Sequence, residues 1–551
     1  MASQHWLKTY RENGIPAEID PNAYRSVLEM LEQAMTKHAG RPAFHSFGQT
    51  LTYADVDRQS RNFAAYLQKK LGVKKGDRVA VMMPNLLAFP IAFLGIIRAG
   101  AAQVSVNPLY TPRELEHQLN DGGVKIMVVF AGASATVAEV MASTPLETVI
   151  TVGPGDGSST KLPGPPVDPR LDGAPTMADV LVEGAALAFD PVVLNGDDLL
   201  FLQYTGGTTG LSKGASLSHR NLVANTEQFK AAMSSSPPAS PDVIVTAIPL
   251  YHIFALMVNF ITYFSVGADN WLVANPRDMD GFVQTLNQAR PTVFIGVNTL
   301  YAGLVAHPKI TEVDFSNLRV SGGGGAAVIA TTSAKWQEIT GQIIREGYGL
   351  SETSPVLTFN PMYLTEFSGT TGLPLPSTDI KLLDDEGQEV EIGEAGEICA
   401  KGPQVMSGYW EKPEANAVAF TADGYFHTGD IGVFDEKGFL KIVDRKKDMI
   451  IVSGFNVYPN EVEAVATACP GVMECACIGV PDQKTGEAVK LFVVRMPNAR
   501  LTAEELVAHC RKEMTAYKTP RAVQFVDALP KSDVGKVLRR ELRDRELHGA
   551  A

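Results

Sequence analysis

A polar stretch that follows an apolar run has the clearest capacity for chemistry. Residues 205–213 read Thr-Gly-Gly-Thr-Thr-Gly-Leu-Ser-Lys and come shortly after the apolar run 199–202. Successive backbone N–H groups in such a loop can form an anion-binding nest, and the hydroxyls add further donors. Lys213 follows Ser212 and precedes Gly214, so the Gly-Lys-Ser/Thr order of a P-loop is absent. The stretch therefore predicts a phosphate-holding loop that is not of the kinase or GTPase type.

A second glycine cluster lies at residues 321–327, which read Ser-Gly-Gly-Gly-Gly-Ala-Ala. It satisfies the dinucleotide pattern G-x-G-x-x-A only because any four-glycine run nearly does so. A dinucleotide site also needs an acidic residue roughly 20 positions further on, at the end of a strand, and none is evident. A dehydrogenase is therefore disfavoured. Glycines without side chains do permit a flat ring to approach the backbone closely.

Three further segments carry groups that suit a nucleotide. Residues 346–354 read Glu-Gly-Tyr-Gly-Leu-Ser-Glu-Thr-Ser, in which Tyr348 could stack on a base and Glu352 could hold Mg²⁺. Asp430 ends the run Asp-Gly-Tyr-Phe-His-Thr-Gly-Asp and could accept two hydrogen bonds from a ribose diol. Lys536 follows a glycine, ahead of a basic C-terminal helix. Taken singly, each segment is equally typical of an ordinary turn or a solvated lysine.

Short apolar runs alternate with longer amphipathic stretches along most of the chain. Such runs are typical of parallel strands that are buried on both faces. A helix start is clear at Thr111. Thr111 can act as the N-cap, Pro112 stands in the first turn, and Glu114 is the acid of a capping box. We predict an α/β fold: a large N-terminal body of several subdomains with parallel-rich sheets, and a small, mobile α+β C-terminal domain. The runs in question are residues 78–82, 126–130, 148–152 and 292–296.

A domain junction is predicted where a strand ends in the charged residues 444–448, Asp-Arg-Lys-Lys-Asp. The predicted domains are residues 1–446, which bind ATP and the acid, and residues 447–551. The second domain is predicted to contain a helix at about 459–468, strands near 475–480 and 489–495, and a helix at about 503–514.

Composition narrows the class of protein. The formal net charge is −13, and residues 448–551 hold equal numbers of basic and acidic residues, so the acidic excess lies in the first 447 residues. This disfavours nucleic acid as a partner. The five cysteines are few and odd in number, which favours a reducing cytoplasm. Residues 475 and 477 are expected to be core thiols. Residues 86–97 are too short to span a membrane, so we expect a cytoplasmic protein, with surface docking on the membrane and homodimer formation left open.

Together, the motifs between residues 203 and 536 resemble, in order and type, those of the adenylate-forming superfamily. This superfamily contains acyl-CoA synthetases, nonribosomal peptide adenylation domains and firefly-type luciferases. Residues 423–449, DGYFHTGDIGVFDEKGFLKIVDRKKDM, resemble the fatty acyl-CoA synthetase signature, closest to bacterial long-chain fatty acid–CoA ligases. The resemblance covers nearly the whole chain. It implies ATP-dependent conversion of an acid to acyl-AMP with release of pyrophosphate, then transfer of the acyl group to CoA.

The resemblance implies a role for each matching residue. ATP, Mg²⁺ and CoA are the implied cofactors and co-substrates, with a fatty acid as the other substrate. Catalytic roles fall to Lys536, Glu352 and His252; phosphate binding to Thr205, Gly206, Gly207, Thr208, Thr209, Gly210 and Lys213; and Mg²⁺ binding to Thr205 and Glu352. Adenine and ribose binding falls to Gly323, Gly324, Gly325, Tyr348, Gly349, Ser351, Thr353, Asp430 and Arg445.

The remaining implied residues concern domain motion and the other two substrates. Lys447 would be the hinge on which the small domain turns, and Ser453, Gly454 and Phe455 would face CoA. Tyr251, Leu256, Phe260 and Val297 would line the acyl pocket. Some long-chain members carry a gating tryptophan at the position of Leu256, so that device is in doubt here.

Three alternatives remain open at this stage. A medium-chain or aryl-CoA ligase would differ only in the shape of the acyl pocket. An acyl-AMP ligase that loads a carrier protein would share every ATP motif. A silent lipid or nucleotide binder is disfavoured, because Thr205, Glu352, Asp430 and Lys536 are all present.

Overall fold

The computed structural model describes residues 4–205, 212–234, 241–453, 455–482, 484–532 and 535–549. Its contacts divide the chain into two compact units. We call the first, Trp6–Asp379 with Lys401–Phe426, the body, and the second, Ile380–Ala400 with the residues from His427 onward and the N-terminal His5, the C-terminal unit. The predicted division between residues 446 and 447 concerns a movement of domains and stays a prediction.

The body contains two sheets whose central strands run parallel. Apolar runs form these strands because both faces of a parallel sheet are covered by helices. The six-stranded sheet has the order Thr148–Val152, Ile126–Phe130, Arg78–Met82, Ala102–Ser105, Leu199–Thr205, Lys213–Ser218, with the last strand antiparallel. The nine-stranded sheet has the order Leu373–Pro374, Val356–Phe359, Ile344–Gly349, Val320–Gly323, Val293–Gly296, Val243–Thr246, Asp269–Leu272, Pro42–Ser46, Gln49–Thr52.

Several helices of the body begin at a Ser, Thr or Asp whose side chain accepts a hydrogen bond from a free N–H of the first turn, namely Ser26, Thr52, Thr111, Thr176, Ser218 and Asp278. At Thr111 the predicted capping box is present, with Pro112 in the first turn. The predicted core segment at residues 86–97 forms the buried helix Ala88–Arg98. The α-helices are Leu7–Asn13, Val27–Lys37, Tyr53–Lys69, Ala88–Arg98, Pro112–Asp121, Ser134–Val140, Met177–Ala185, His219–Ala232, Tyr263–Ser265, Met279–Ala289, Asn298–Ala306, Ala330–Thr340 and Pro413–Ala419, and Ala255–Thr262 is a π-helix.

One hydrophobic core joins the two sheets of the body. Phe93 from the buried helix stacks on Phe201 of the six-stranded sheet, with ring centroids 5.5 Å apart. The same ring meets Phe260 edge-on, also at 5.5 Å. Phe260 of the π-helix in turn meets Phe44 of the nine-stranded sheet with ring centroids 5.1 Å apart, so the helix and the π-helix connect the two sheets.

The C-terminal unit has the α+β composition predicted for the end of the chain. One sheet has the order Asp379–Leu383, Gly396–Lys401, Phe426–Phe434, Leu440–Arg445. A second has the order Phe455–Val457, Ile450–Val452, Gly486–Arg495, Val472–Asp482, with Ala522–Phe525 beside Gly486–Arg495. The predicted helices are Pro459–Thr467 and Ala503–Glu513, and a third helix is Arg539–Gly549. Cys475 and Cys477 lie in its hydrophobic core, as predicted.

The α/β fold is therefore confirmed, with parallel-rich sheets in the larger unit. Among the helices that the structure describes, none has the length and apolarity that a membrane crossing requires.

Candidate active site

The predicted phosphate loop starts and ends on neighbouring strands of the six-stranded sheet. Thr205 is the last residue of one strand and lies directly opposite Lys213, the first residue of the next. The intervening Gly206, Gly207, Thr208, Thr209 and Gly210 lie outside the described residues, and their phosphate-binding role stays a prediction.

Lys213 and Glu352 meet through the ring of Tyr409. The Lys213 ammonium lies 5.1 Å from the centroid of the Tyr409 ring, within cation–π distance. The Tyr409 hydroxyl donates a hydrogen bond of 2.9 Å to Glu352 Oε1, and the Met406 N–H donates to the Glu352 carbonyl at 2.8 Å. Glu352 is only 7% exposed, so this hydroxyl fixes the direction of its carboxylate. The predicted Mg²⁺ ligand Glu352 is thereby linked through Tyr409 to Lys213, the last residue of the predicted phosphate loop.

The second glycine cluster leaves little space for a side chain next to its backbone. A Cβ atom on Gly324 would come within 3.2 Å of both the Phe254 ring and the Gly347 carbonyl oxygen. Gly325 has φ +76°, in the left-handed region that favours glycine. Only glycine leaves the floor of this region flat, which fits the predicted approach of a ring. Gly323 ends the strand Val320–Gly323 on the same stretch.

The adjoining loop that carries Tyr348 is folded tightly on itself. A Cβ atom on Gly349 would collide with the Pro355 carbonyl oxygen at 1.8 Å. The Leu350 N–H donates to that same carbonyl at 3.0 Å. Thr353 is fully buried, and its hydroxyl donates to the Leu350 carbonyl at 3.1 Å. In this state Thr353 shapes the loop, and nucleotide binding by Thr353, Ser351 and Tyr348 stays a prediction.

Glu346, at the start of this motif, is a buried acid, and no cation among the described residues contributes to the shift of its pKa. Its Oε1 accepts a hydrogen bond of 2.7 Å from the Val328 N–H. Burial raises the pKa of Glu346 to about 7, and the hydrogen bond from Val328 only partly offsets that rise. The side chain therefore ties the residues after the glycine cluster to the strand Ile344–Gly349.

The predicted acyl residues lie in and around the π-helix Ala255–Thr262. Leu256 and Phe260 are fully buried on it, and Val297 is 5% exposed. Tyr251 accepts a hydrogen bond at its carbonyl from Gln203 Nε2, 3.3 Å away, on the strand that leads into the phosphate loop. His252 Nδ1 accepts from the Phe254 N–H at 3.2 Å. The segment before the π-helix thus contacts the strand Leu199–Thr205, and pocket lining stays a prediction.

The C-terminal unit holds a second group of predicted residues. Asp430 and Arg445 are opposite each other on paired antiparallel strands. Arg445 forms an ion pair with the buried Asp448. Although burial favours the neutral acid, Arg445, Arg543 and Arg539 lower the pKa of Asp448 below its ordinary value. Asp448, the last residue of the DRKKD segment, is therefore paired with arginine side chains.

Lys536 lies in the electrostatic field of this same group. It follows the left-handed Gly535 in a tight turn, in which the Lys536 N–H donates to Ser532 Oγ at 3.2 Å. Desolvation and repulsion by Arg445 lower the pKa of Lys536, while Asp430 acts in the opposite direction. Lys447 is subject to the same effects: desolvation and Arg445 lower its pKa to about 8. Predicted ribose, lysine and hinge residues are therefore close neighbours within one unit.

The predicted CoA-facing segment forms a short hairpin. Ser453 has φ +53° and follows the strand Ile450–Val452, which pairs with Phe455–Val457. Phe455 is 57% exposed and stacks on Tyr517 with ring centroids 5.0 Å apart. Gly454 lies outside the described residues. An exposed aromatic ring that stacks on a half-buried one suits a ligand surface, and the CoA contact stays a prediction.

Family models match both parts of the chain. The AMP-binding enzyme model matches residues 31–410, and the model of the AMP-binding enzyme C-terminal domain matches residues 461–536. The chain belongs to the AMP-binding enzyme family. The predicted membership in this group of adenylate-forming proteins is confirmed.

Individual relatives of this AMP-binding enzyme match along nearly its full length. A long-chain-fatty-acid–CoA ligase of Yersinia pestis is 50% identical, with 98% of each chain covered. A feruloyl-CoA synthase of an Amycolatopsis species is 36% identical, with 93% of this chain and 96% of that protein covered. The crystal structure of ATP-bound MatB from Rhodopseudomonas palustris matches with a TM-score of 0.83 and 32% identity, covering 94% of this chain and 98% of the other.

Sequence reasoning missed two side chains that the structure places at this AMP-binding enzyme's site. Tyr409 joins Lys213 to Glu352, and Phe254 limits the space above Gly324. Tyr409 lies more than fifty residues from Glu352, so no local spacing points to it. The Gly-Tyr-Trp run at 408–410 was its only signal.

Proposed function

We propose that this AMP-binding enzyme is a long-chain fatty acid–CoA ligase. A carboxylate oxygen of the fatty acid attacks the α-phosphorus of ATP, and pyrophosphate leaves. The CoA sulfur then attacks the carbonyl carbon of the acyl-AMP, and AMP leaves with the oxygen that had bridged carbon and phosphorus. The observation that carries the proposal is the 50% identity to a long-chain-fatty-acid–CoA ligase over 98% of both chains.

The first step is limited by charge. A carboxylate must approach a phosphorus atom that is already surrounded by anionic oxygens. Two unit charges about 3.5 Å apart repel by about 5 kcal/mol at an effective dielectric constant of 20. That energy corresponds to roughly three decades of rate. Catalysis therefore depends on positioning and charge neutralisation, and needs no nucleophilic side chain.

The donor set at Glu352 fits a magnesium ion. The carboxylate of Glu352 and the hydroxyl of Thr205 are hard oxygen ligands, which Mg²⁺ prefers beside phosphates. When bound there, Mg²⁺ would neutralise charge on the ATP phosphates. Tyr409 would hold the Glu352 carboxylate in position, since its hydroxyl already donates to Oε1. Lys213, on the other side of the Tyr409 ring, would add a positive charge at the phosphate loop.

The second cation is Lys536. The pKa of Lys536 is lowered by desolvation and by Arg445, but the residue is exposed, so we attribute the effect on its ammonium mainly to the positive charge of Arg445. An anionic ligand would reverse that balance, because an opposite charge nearby raises the pKa of a lysine. The pKa of Lys536 would thus be highest when the reacting carboxylate and α-phosphate are beside it. We also place Asp430 and Arg445 at the ribose, because both lie close to Lys536.

The second step needs space for the CoA sulfur where Lys536 had been. We propose that the domain of residues 447–551 turns at Lys447 between the steps, which takes Lys536 away and brings Ser453 and Phe455 forward. Two such orientations would let one site serve two reactions.

An aryl-CoA ligase is the second candidate, because a feruloyl-CoA synthase is 36% identical over most of both chains. Only the acid pocket would separate the two functions. Burial of each CH₂ group in an apolar pocket contributes about 0.8 kcal/mol, so a long tunnel favours longer acids steeply.

The experiment is a substrate panel with purified full-length protein. AMP and acyl-CoA formation are measured with ATP, Mg²⁺ and CoA for saturated acids of two to eighteen carbons and for ferulic acid. We expect kcat/KM to rise with chain length and to be highest among the long acids. A preference for ferulic acid would replace the proposal with the second candidate, and acyl-AMP formed without any acyl-CoA would indicate transfer to a carrier protein.

A further inference from the structure

A cluster of metal-ligating groups lies in the C-terminal unit, away from the predicted magnesium residues. Glu397 and Cys399 are two residues apart on the strand Gly396–Lys401, so their side chains share one face of the sheet. His427 stands on the neighbouring strand, Phe426–Phe434. One ligand atom from each of the three lies within 4.8 Å of the other two. Among the residues that the structure describes, this is the one His, Cys, Asp or Glu group with such spacing.

The two distances from His427 Nδ1 are close to those of a tetrahedral zinc site. Cys399 Sγ lies 3.3 Å from His427 Nδ1, and His427 Nδ1 lies 3.3 Å from Glu397 Oε2. Zinc binds thiolate sulfur at about 2.3 Å, imidazole nitrogen at about 2.05 Å and carboxylate oxygen at about 2.1 Å. At tetrahedral angles these lengths place sulfur about 3.6 Å and oxygen about 3.4 Å from the nitrogen. Both distances from Nδ1 are therefore within a few tenths of an ångström of those in a zinc site, and the sulfur–oxygen distance, which lies within 4.8 Å, would have to become about 3.6 Å.

The arrangement does not suit nucleophilic catalysis. A cysteine–histidine–acid triad needs the thiol on one ring nitrogen and the acid on the other. Here sulfur and carboxylate both approach Nδ1 of His427. A metal ion bound by all three atoms would account for that convergence.

An ion can enter the cluster. The side chain of His427 is 33% exposed and that of Glu397 is 11% exposed, while Cys399 is fully buried behind them. Water would complete the fourth position, as it does in zinc sites with three protein ligands. Cysteine and histidine ligands also exclude Mg²⁺, which prefers oxygen.

Lys446 is the natural competitor for this place. Its ammonium lies 3.3 Å from Glu397 Oε2, the same oxygen that a metal would take. The lysine has a second partner in Asp385, at 3.0 Å, and can move to it. Zinc must therefore displace the Lys446 ammonium from Glu397. We expect its affinity to be below that of a dedicated structural site for this reason.

We propose that Glu397, Cys399 and His427 form a zinc-binding site through which Zn²⁺ inhibits this enzyme. Glu397 Oε1 accepts a hydrogen bond of 3.2 Å from the Gly429 N–H, and the Thr428 hydroxyl donates to the Ile398 carbonyl at 2.8 Å. A metal ion bound by Glu397 and His427 would displace both ends of the segment 427–429, which leads into Asp430. The inhibitory part rests on the proposed function, whereas the binding part does not.

The test measures metal binding directly. Tag-free, reduced full-length protein is titrated with Zn²⁺ in an excess of Mg²⁺ against a chromophoric chelator, and with Co²⁺ as an absorption probe. We expect one site of micromolar or tighter affinity and a thiolate-to-cobalt charge-transfer band. Cys399→Ser should abolish that band and weaken Zn²⁺ binding more than about tenfold, and His427→Gln should weaken it similarly. Lys446→Met should strengthen binding several-fold, because it removes the competing ammonium.

The matched control is Cys469→Ser, which changes a buried thiol outside the cluster and should leave zinc binding intact. Binding that is absent, or unchanged in both Cys399→Ser and His427→Gln, would overturn the proposal. The Lys446→Met result keeps the test decisive if a ligand variant fails to fold. Inhibition of AMP formation by Zn²⁺ should follow the same order of variants. Failure of zinc binding would leave the ligase proposal untouched.

Discussion

Lys536 is the single residue on which the proposed separation of two half-reactions depends. Lys536→Ala removes the cation that offsets repulsion between the acid and the α-phosphate. We therefore expect acyl-AMP formation to fall by roughly three decades, while acyl-CoA formation from supplied acyl-AMP stays within about threefold. Pyrophosphate release and thioester formation are measured separately. Lys531→Ala is the control, since Lys531 stands on the same turn and pairs with Glu474. Equal losses in both half-reactions would refute the role.

Glu346 allows a prediction about pH at the same scale. Its pKa is about 7 in the folded protein and ordinarily 4.5, so the folded state holds more protons between these values. Folding is then disfavoured progressively as pH rises through that window. Glu346→Gln lacks the effect. The free energy of unfolding of the variant, relative to wild type, should rise by about 3 kcal/mol between pH 4 and pH 8.

Denaturant unfolding without nucleotide, followed across this pH range, measures the difference. The exposed Glu338→Gln, on the helix Ala330–Thr340, serves as the control and should show no trend. A flat difference for Glu346→Gln would mean that the pKa of Glu346 is the same in the folded and the unfolded protein, which would contradict the effect of burial.

At the scale of elements, the segment after the strand Gly396–Lys401 pairs with the strand Lys213–Ser218, which follows the predicted phosphate loop. Tyr409 of this segment holds Glu352 by a hydrogen bond, and a bond to a charged group is worth about 1.5–3 kcal/mol. Tyr409→Phe keeps the ring over Lys213 but loses that bond. We expect kcat/KM for acyl-AMP formation to fall about tenfold or more, with a weaker response to Mg²⁺.

The control for this variant is Tyr425→Phe, which removes a hydroxyl bonded to Asp379 at 2.6 Å. Its rate of acyl-AMP formation should stay close to that of wild type. If the two variants lose activity to the same extent, the positioning role of Tyr409 is wrong.

Elements whose signals are local were predictable from the sequence. The capping box at Thr111 and the helices at 459 and 503 follow from short-range rules of capping and periodicity. The π-helix Ala255–Thr262 was not predicted, because a run that is apolar on every side carries no periodicity to read. Tyr409 was missed for a different reason: its partner is distant in sequence.

The same limit on prediction from sequence, contacts between residues that are distant along the chain, applies to the whole molecule. The strands Asp379–Leu383 and Gly396–Lys401 stand in one sheet with Leu440–Arg445. Contacts therefore group residues 380–400 with the C-terminal unit, although they are distant from it along the chain. The zinc-ligand cluster at Glu397, Cys399 and His427 was invisible for that reason. Motifs that act within one loop could be read, whereas residues that meet through sheet pairing could not.

The central claim at this scale is that the acid is activated as an adenylate before CoA reacts. The most direct measurement starts from palmitate with both carboxylate oxygens labelled with ¹⁸O, and ATP, Mg²⁺ and CoA in unlabelled water. Mass spectrometry of the products should find one ¹⁸O atom in each AMP, none in pyrophosphate, and one in the acyl-CoA carbonyl. AMP without label, or label in pyrophosphate or inorganic phosphate, would contradict the account.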